Sequence, residues 1–126
     1  MTSIFKKYGG IEPLKAIVKI FYQRILLKPE IQKYFVGIDM DRLMDHQANY
    51  LAVILGAETA YTGADVKQIH QRLKVKKDDF NFVATTLLQI LKEKGFTEEE
   101  LKLVEKHAMM LGSFIIESDE SEKKDS

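Results

Sequence analysis

Apolar residues recur at three- and four-residue steps along most of this chain, and that spacing predicts amphipathic helices. Four long helices are predicted, at residues 12 to about 27, 40–55, 78 or 79 to 94, and 98 to about 117. Pro29 would close the first helix, because the residue before a proline avoids the helical region. Asp39 would cap the second, and Thr97 with Glu100 forms a capping box at the start of the fourth.

The connections between the long helices carry weaker signals. A short turn or helix is predicted around Tyr34 and Phe35, a loop over residues 56–63, and a brief helix from Val66 to about Leu73 that includes His70. The pattern contains no internal repeat and no alternating segment long enough for a sheet. The chain is therefore predicted to be all-α, with one domain at residues 1–117 and a disordered polar tail at residues 118–126.

Composition excludes several classes of function. Lys+Arg and Asp+Glu both number 19, so the formal net charge is zero and lacks the basic excess of a nucleic-acid binder. No apolar run approaches the ~18 residues that suggest a membrane span, and no signal peptide is evident, so a cytoplasmic protein is expected. Cysteine is absent, which excludes disulfides, thiolate catalysis, and sulfur-ligated zinc or iron–sulfur clusters. Any metal ligand must be His, carboxylate, Tyr or Met.

Several polar residues lie on helical stripes that are otherwise apolar. Tyr22 lies between Val18 and Ile25, Gln47 occupies an apolar row of the second long helix, and His46 borders the same face. Taken singly, each has a structural explanation as a core group bonded to backbone or to another core polar group, and His46 could turn outwards. A buried amide without a partner costs about 1–3 kcal/mol. These residues could instead surround one face of a shared cofactor.

His70 shares an apolar face with Val66 and Leu73. A lone histidine in such a place is most often a core residue, but neutral imidazole is also the commonest metal ligand. No second histidine or carboxylate lies at i+3 or i+4 on that face, so a zinc or di-iron site is poorly supported. A single protein ligand suits haem, whose porphyrin supplies four nitrogens. His107 is interpreted as structural, and no hydrolase or kinase motif is present.

Taken together, these residues resemble a group I truncated haemoglobin over about residues 4–116. The matching segments are Phe21–Tyr22, Tyr34–Phe35, the run from Asp39 to Gln47, Tyr61–Thr62–Gly63, and Gln68–Ile69–His70. The resemblance implies a two-over-two helical sandwich around haem, with a very short first helix. It also implies an extended segment between the helices on the two sides of the haem, which agrees with the predicted loop.

The resemblance implies roles for individual residues. By position, His70 would be the proximal iron ligand and Phe35 the aromatic residue that packs on the porphyrin. The distal side would be formed by Tyr22, Leu43, His46 and Gln47. A histidine at the place of His46 binds iron directly in some members, which would give a six-coordinate protein for electron transfer, nitrite reduction or ligand sensing. Some members attach haem through a late histidine, but Ser113 stands near that place, so non-covalent haem b is expected.

The function implied is reversible binding of O₂, NO and CO with high O₂ affinity, because Tyr22 and Gln47 would donate hydrogen bonds to bound O₂. Retained O₂ could oxidise NO to nitrate, which would require an external reductase, so enzymatic activity as an NO dioxygenase is left open. A monomer without nucleic-acid or membrane partners is expected. The alternative of a different class is a helical interaction module without haem.

Overall fold

The computed structural model describes residues 3–57 and 74–116, apart from the side chains of Phe114 and Ile115. The brief helix predicted around His70, most of the preceding loop, and the tail at residues 118–126 lie outside the described residues. The helices are α1 (Ile4–Lys7), α2 (Ile11–Ile25), α3 (Pro29–Gln32), a 3-10 turn (Lys33–Phe35), α4 (Met40–Ile54), α5 (Lys77–Glu93) and α6 (Glu98–Ile115).

The predicted all-α class is confirmed. Within residues 3–57 and 74–116 the only extended pairing is a single parallel bridge between Val75 and Ile116, and no strand forms. No helix in the same ranges combines the length and apolarity that a membrane crossing requires.

Helix ends follow local chemistry at several positions, but the prediction that Pro29 closes the first long helix is wrong, because α2 ends at Ile25 and Pro29 begins α3. The Asp39 carboxylate accepts a hydrogen bond from the Arg42 N–H at 3.2 Å, and Thr97 and Glu100 form the predicted capping box. Gly10 enters α2 with φ +88°, a conformation that glycine adopts without the steric cost of a Cβ. Helix α5 starts one residue before the predicted range, because Lys76 takes the N-cap position without a side-chain cap.

Two pairs of helices form the layers of the fold. Helix α2 packs against α4, α5 packs against α6, and contacts of α2 with α5 and of α4 with α6 join the pairs. The core contains Leu14, Ile17, Val18, Phe21, Tyr22, Ile25, Ala48, Leu51, Ala52, Leu55, Ile90, Leu91, Phe96 and Val104. The most buried positions of α4 include Ala48 and Ala52, whose small side chains permit close packing of neighbouring helices.

The short helix α1 is fastened to the start of α6. The Tyr8 ring stacks on Phe96 with centroids 4.0 Å apart, and its hydroxyl donates to the Glu100 carboxylate. The Lys7 ammonium forms an ion pair with Glu100 at 2.9 Å. Burial alone would raise the pKa of the Glu100 carboxyl, but hydrogen bonds from Tyr8, the Thr97 backbone and Lys7 together lower that pKa to about 2.

Candidate functional site

The described helices form a cavity of about 580 Å³ that is partly open to solvent. Its wall is made mainly of aliphatic and aromatic side chains contributed by α2, α4, α5, α6 and the 3-10 turn. A space of this size and character suits a largely apolar small molecule or cofactor. The polar groups in the wall therefore determine what the cavity can bind and do.

Tyr22 is the most deeply buried polar group in that wall, with 5% of its surface exposed. Its ring meets Phe35 edge-on, with centroids 5.7 Å apart and planes at 84°. Within residues 3–57 and 74–116 the Tyr22 hydroxyl makes no hydrogen bond. Its oxygen remains accessible from the cavity, because no fully buried side-chain oxygen in those ranges lacks a partner. Burial raises the pKa of this phenol, so the hydroxyl keeps its proton and can donate to a ligand in the cavity.

One turn of α4 supplies three of the residues predicted for the distal side. Leu43, His46 and Gln47 are spaced at i, i+3 and i+4, are all half-buried, and all line the cavity. Helical geometry places residues at these spacings on one face, and the family resemblance implies the distal side for all three. The structure thus brings these three side chains to the same cavity as Tyr22.

Phe35 lies at the end of the 3-10 turn, which is tied to α5 through its neighbour Tyr34. The Tyr34 hydroxyl donates to Asp79 Oδ2 at 2.7 Å and accepts from the Lys76 N–H at 3.2 Å. Asp79 is buried in the first turn of α5, where a carboxylate is also favoured by the helix dipole. These bonds fix the turn that presents Phe35 to the cavity and to Tyr22.

Sequence reasoning did not assign a site function to Asp79 or to Arg42. Arg42 follows Asp39 by one helical turn, is exposed, and lines the cavity with it. A guanidinium in that position could bind the carboxylate of a ligand whose polar edge faces solvent. The sequence did offer one signal for Arg42, because it is a basic residue directly before Leu43, a residue predicted to line the distal side. The Tyr34–Asp79 pair spans 45 residues, and no local pattern predicts it.

The cavity has the volume and the mostly apolar wall that a large apolar cofactor requires, with a few polar side chains among its lining residues. Its apolar wall would cover a flat ring, Arg42 could meet carboxylates at the edge of that ring, and the Tyr22 hydroxyl would face a polar ligand on the distal side. These features match haem. His70, the residue predicted to bind iron, lies outside the described residues, so its position relative to this cavity stays a prediction.

Comparison with known proteins agrees with this interpretation. A sequence profile of the bacterial-like globins matches residues 3–113. A group 1 truncated hemoglobin of Mycolicibacterium paratuberculosis is 36% identical over 98 residues, which cover 78% of this chain and 72% of that protein. A group 1 truncated hemoglobin of Tetrahymena pyriformis is 29% identical over 107 residues, covering 82% of this chain and 88% of that protein.

Solved structures show the same arrangement of helices. Truncated hemoglobin from Tetrahymena pyriformis in its Fe(III) form superposes with a TM-score of 0.76 at 25% identity, covering 93% of this chain and 100% of that chain. Hemoglobin from Chloroflexus aurantiacus superposes with a TM-score of 0.74 at 20% identity, covering 91% of this chain and 98% of that chain, which shows a shared fold.

Proposed function

The chain belongs to the group 1 truncated haemoglobins, within the bacterial-like globins, and we propose that it binds haem b non-covalently and holds O₂ with high affinity. Membership makes it a haem-binding globin with the two-over-two fold. The observation that carries the finer proposal is Tyr22, a protonated phenol that is buried in the cavity wall without a hydrogen-bond partner among the described residues.

Four residues would hold the cofactor, and three of them, Phe35, Leu43 and Arg42, line the cavity. His70 would be the protein's iron ligand, Phe35 and Leu43 would contact the ring, and Arg42 would bind the propionates. Two observations support non-covalent attachment. Ser113 is exposed and donates to the Met110 carbonyl of its own helix, and His107 Nδ1 lies 3.0 Å from the Leu103 carbonyl oxygen, as expected of a structural histidine.

When bound, haem supplies an iron at which O₂ acquires partial negative charge. The Tyr22 hydroxyl and the Gln47 amide would stabilise that charge by donating hydrogen bonds. A hydrogen bond to a charged acceptor contributes about 1.5–3 kcal/mol, or roughly ten- to a hundredfold in affinity. CO carries less charge and would gain less, so the two donors favour O₂.

High O₂ affinity suits scavenging or chemistry better than bulk transport. We therefore propose that the protein supports NO oxidation to nitrate, with Tyr22 and Gln47 retaining the O₂ that is consumed. An external reductase would return the ferric protein to the ferrous state. NO and CO would bind at the same site. A monomeric state, a cytoplasmic location, and the division between the domain and the tail at residue 118 stay predictions from the sequence.

Loss of the two donors tests this proposal. In stopped-flow measurements, Tyr22→Phe and Gln47→Leu should each raise the O₂ dissociation rate, by roughly ten- to a hundredfold. Tyr8→Phe is the matched control, because Tyr8 stacks on Phe96 away from the cavity wall and should leave that rate unchanged. Unchanged rates in both cavity variants would refute the donor mechanism. Purified protein should show a haem Soret band that His70→Ala abolishes.

His46 supports a second candidate function, because it lies in the same cavity wall as Gln47. Direct binding of its imidazole to iron would compete with O₂ and suit electron transfer, nitrite reduction or ligand sensing. In that case, ferric protein should give a low-spin spectrum that His46→Leu converts to high spin. A high-spin spectrum in the unsubstituted protein would exclude this candidate. Protein that remains free of haem after haem supplementation would instead favour a non-haem interaction module.

A further inference from the structure

Five lysines gather where the 3-10 turn meets the start of α5. This basic surface consists of Lys28, Lys33, Lys74, Lys76 and Lys77. The Lys28 Nζ lies 4.3 Å from the Phe82 ring centroid, and the Lys33 Nζ lies 5.1 Å from that of Tyr34. The Lys76 N–H donates to the Tyr34 hydroxyl, which joins the two segments that carry the lysines. None of the five forms an ion pair with a carboxylate of residues 3–57 or 74–116.

The basic surface carries a local excess of positive charge on a neutral chain. The same segments contain three carboxylates, those of Glu30, Asp78 and Asp79, and Asp79 is buried and accepts the Tyr34 hydroxyl. The rest of the molecule must carry the compensating negative charge. Such an asymmetric distribution orients an approaching charged protein before contact.

Exposed apolar side chains border the basic surface. Leu27 and Val36 are each 81% exposed, and Ile38 is 46% exposed. The described ranges contain five exposed large apolar residues, and these are three of them. Leu27 precedes Lys28 directly, and the other two follow the 3-10 turn that begins with Lys33. Apolar contacts surrounded by charged groups are a common composition for a specific protein–protein interface.

The basic surface also adjoins the haem cavity. Val75 is buried and lines the cavity, while its chain neighbours Lys74 and Lys76 are exposed. Tyr34 lines the cavity immediately after Lys33 in the sequence. A protein bound at these lysines would therefore contact chain neighbours of residues that line the cavity.

We propose that the basic surface docks an acidic protein that donates single electrons to the ferric haem protein. The inference rests on the proposed haem function and specifies the chemistry of its reductase. In each encounter one electron passes from the donor, which is oxidised, to the haem protein, which is reduced, and no atom is transferred. An acidic protein suits the site better than an anionic membrane, because the surface adjoins the cavity that would hold the haem, and an electron donor must approach that cavity.

Binding and electron transfer can be measured with an acidic flavodoxin as the probe. Oxidised flavodoxin added to the haem-loaded, ¹⁵N-labelled protein should shift amide resonances of residues 27–38 and 74–79. Lys33→Glu/Lys77→Glu should weaken binding by about tenfold or more, and raising ionic strength from about 0.01 M to about 0.15 M should weaken binding of the unsubstituted protein. Lys102→Glu/Lys106→Glu, the same charge change on exposed positions of α6, should have little effect.

Reduction kinetics separate this inference from the proposed function. Reduced flavodoxin should reduce the Lys33→Glu/Lys77→Glu protein more slowly than the α6 control variant. Dithionite, which needs no docking surface, should reduce both at the same rate. The inference would be overturned if Lys33→Glu/Lys77→Glu and the α6 control variant bound flavodoxin equally well. It would also be overturned if Lys33→Glu/Lys77→Glu lost binding to phosphatidylserine vesicles more than binding to flavodoxin. If flavodoxin fails to bind although the dithionite-reduced protein holds O₂ tightly, the docking proposal fails and the haem function stands.

Discussion

Gly112 is a position where one methyl group should weaken cofactor binding more than it weakens the fold. Gly112 is buried in α6 opposite Phe80 of α5. A Cβ at Gly112 would stand 2.8 Å from two atoms of the Phe80 ring and 3.2 Å from Ile116 Cδ1. Carbon atoms pack best about 3.5–4.0 Å apart, so the ring would have to withdraw by roughly 0.7 Å or more.

The cost of that movement depends on whether the cavity is filled. Helix propensity alone favours alanine over glycine by roughly 0.8–1.0 kcal/mol, whereas overpacking a core costs typically about 1–3 kcal/mol. Phe80 lines the cavity, so without haem its ring can withdraw into that space. With haem bound, the ring competes with the cofactor. We therefore expect Gly112→Ala to leave the stability of the haem-free protein nearly unchanged and to weaken haem binding roughly five- to a hundredfold.

Haem transfer to an apomyoglobin in excess measures this effect directly, and thermal unfolding with and without haem measures the stability of each form. Phe80→Leu removes part of the ring that the new methyl group meets, so the double variant should regain much of the lost affinity. Gly112→Ala with unchanged haem retention would refute the reasoning. So would a double variant that loses haem as fast as Gly112→Ala alone, because the ring could not then be the cause.

Three further predictions concern polar groups away from Gly112, those of Glu100, Tyr34 and Tyr22. In the folded protein the pKa of Glu100 is lowered from 4.5 to about 2. Its contribution to stability is therefore present above about pH 4.5 and is lost as the pH falls towards 2. Glu100→Gln should flatten this part of an acid-unfolding curve followed by circular dichroism. Tyr34→Phe removes the donor to buried Asp79 and should lower the free energy of unfolding by about 1–3 kcal/mol in urea titrations. Tyr22→Phe should leave that free energy unchanged or raise it, and a fall as large as that of Tyr34→Phe would contradict the assignment of Tyr22.

Much of the fold could be predicted because its determinants are local. The three- and four-residue spacing located the long helices, and the caps at Asp39 and Thr97 depend on residues within three positions. The same periodicity placed Gln47 on an inward row, which lines the cavity. Helix α1 has only four residues, too short for a periodic signal, and only the family resemblance implied it.

What the sequence did not predict depends on contacts between distant segments. Ala48 and Ala52 are among the most buried residues of α4, and the apolar spacing of the sequence does not single them out. The reason is that helix packing decides which face is closest to a neighbour, and small residues allow that approach. Asp79 lies where the sequence predicts the start of a helix, at residue 78 or 79, but its partner Tyr34 comes from a segment 45 residues earlier. A hydrogen bond between residues so far apart in the sequence cannot be predicted from helical periodicity.

Tyr22 and Tyr34 carry the same hydroxyl group but contribute in opposite ways. The Tyr34 hydroxyl donates to Asp79 and accepts from Lys76, so it stabilises the turn that carries Phe35. The Tyr22 ring is held by Phe21 and Phe35, while its hydroxyl faces the cavity without a partner among the described residues. No fully buried side-chain oxygen in the described ranges lacks a partner, so the Tyr22 oxygen must remain accessible from the cavity, where it adds no hydrogen bond to the fold and is available to a ligand. Ligand binding therefore explains the Tyr22 hydroxyl, and folding explains the Tyr34 hydroxyl. For this reason Tyr34→Phe should lower the free energy of unfolding, whereas Tyr22→Phe should not.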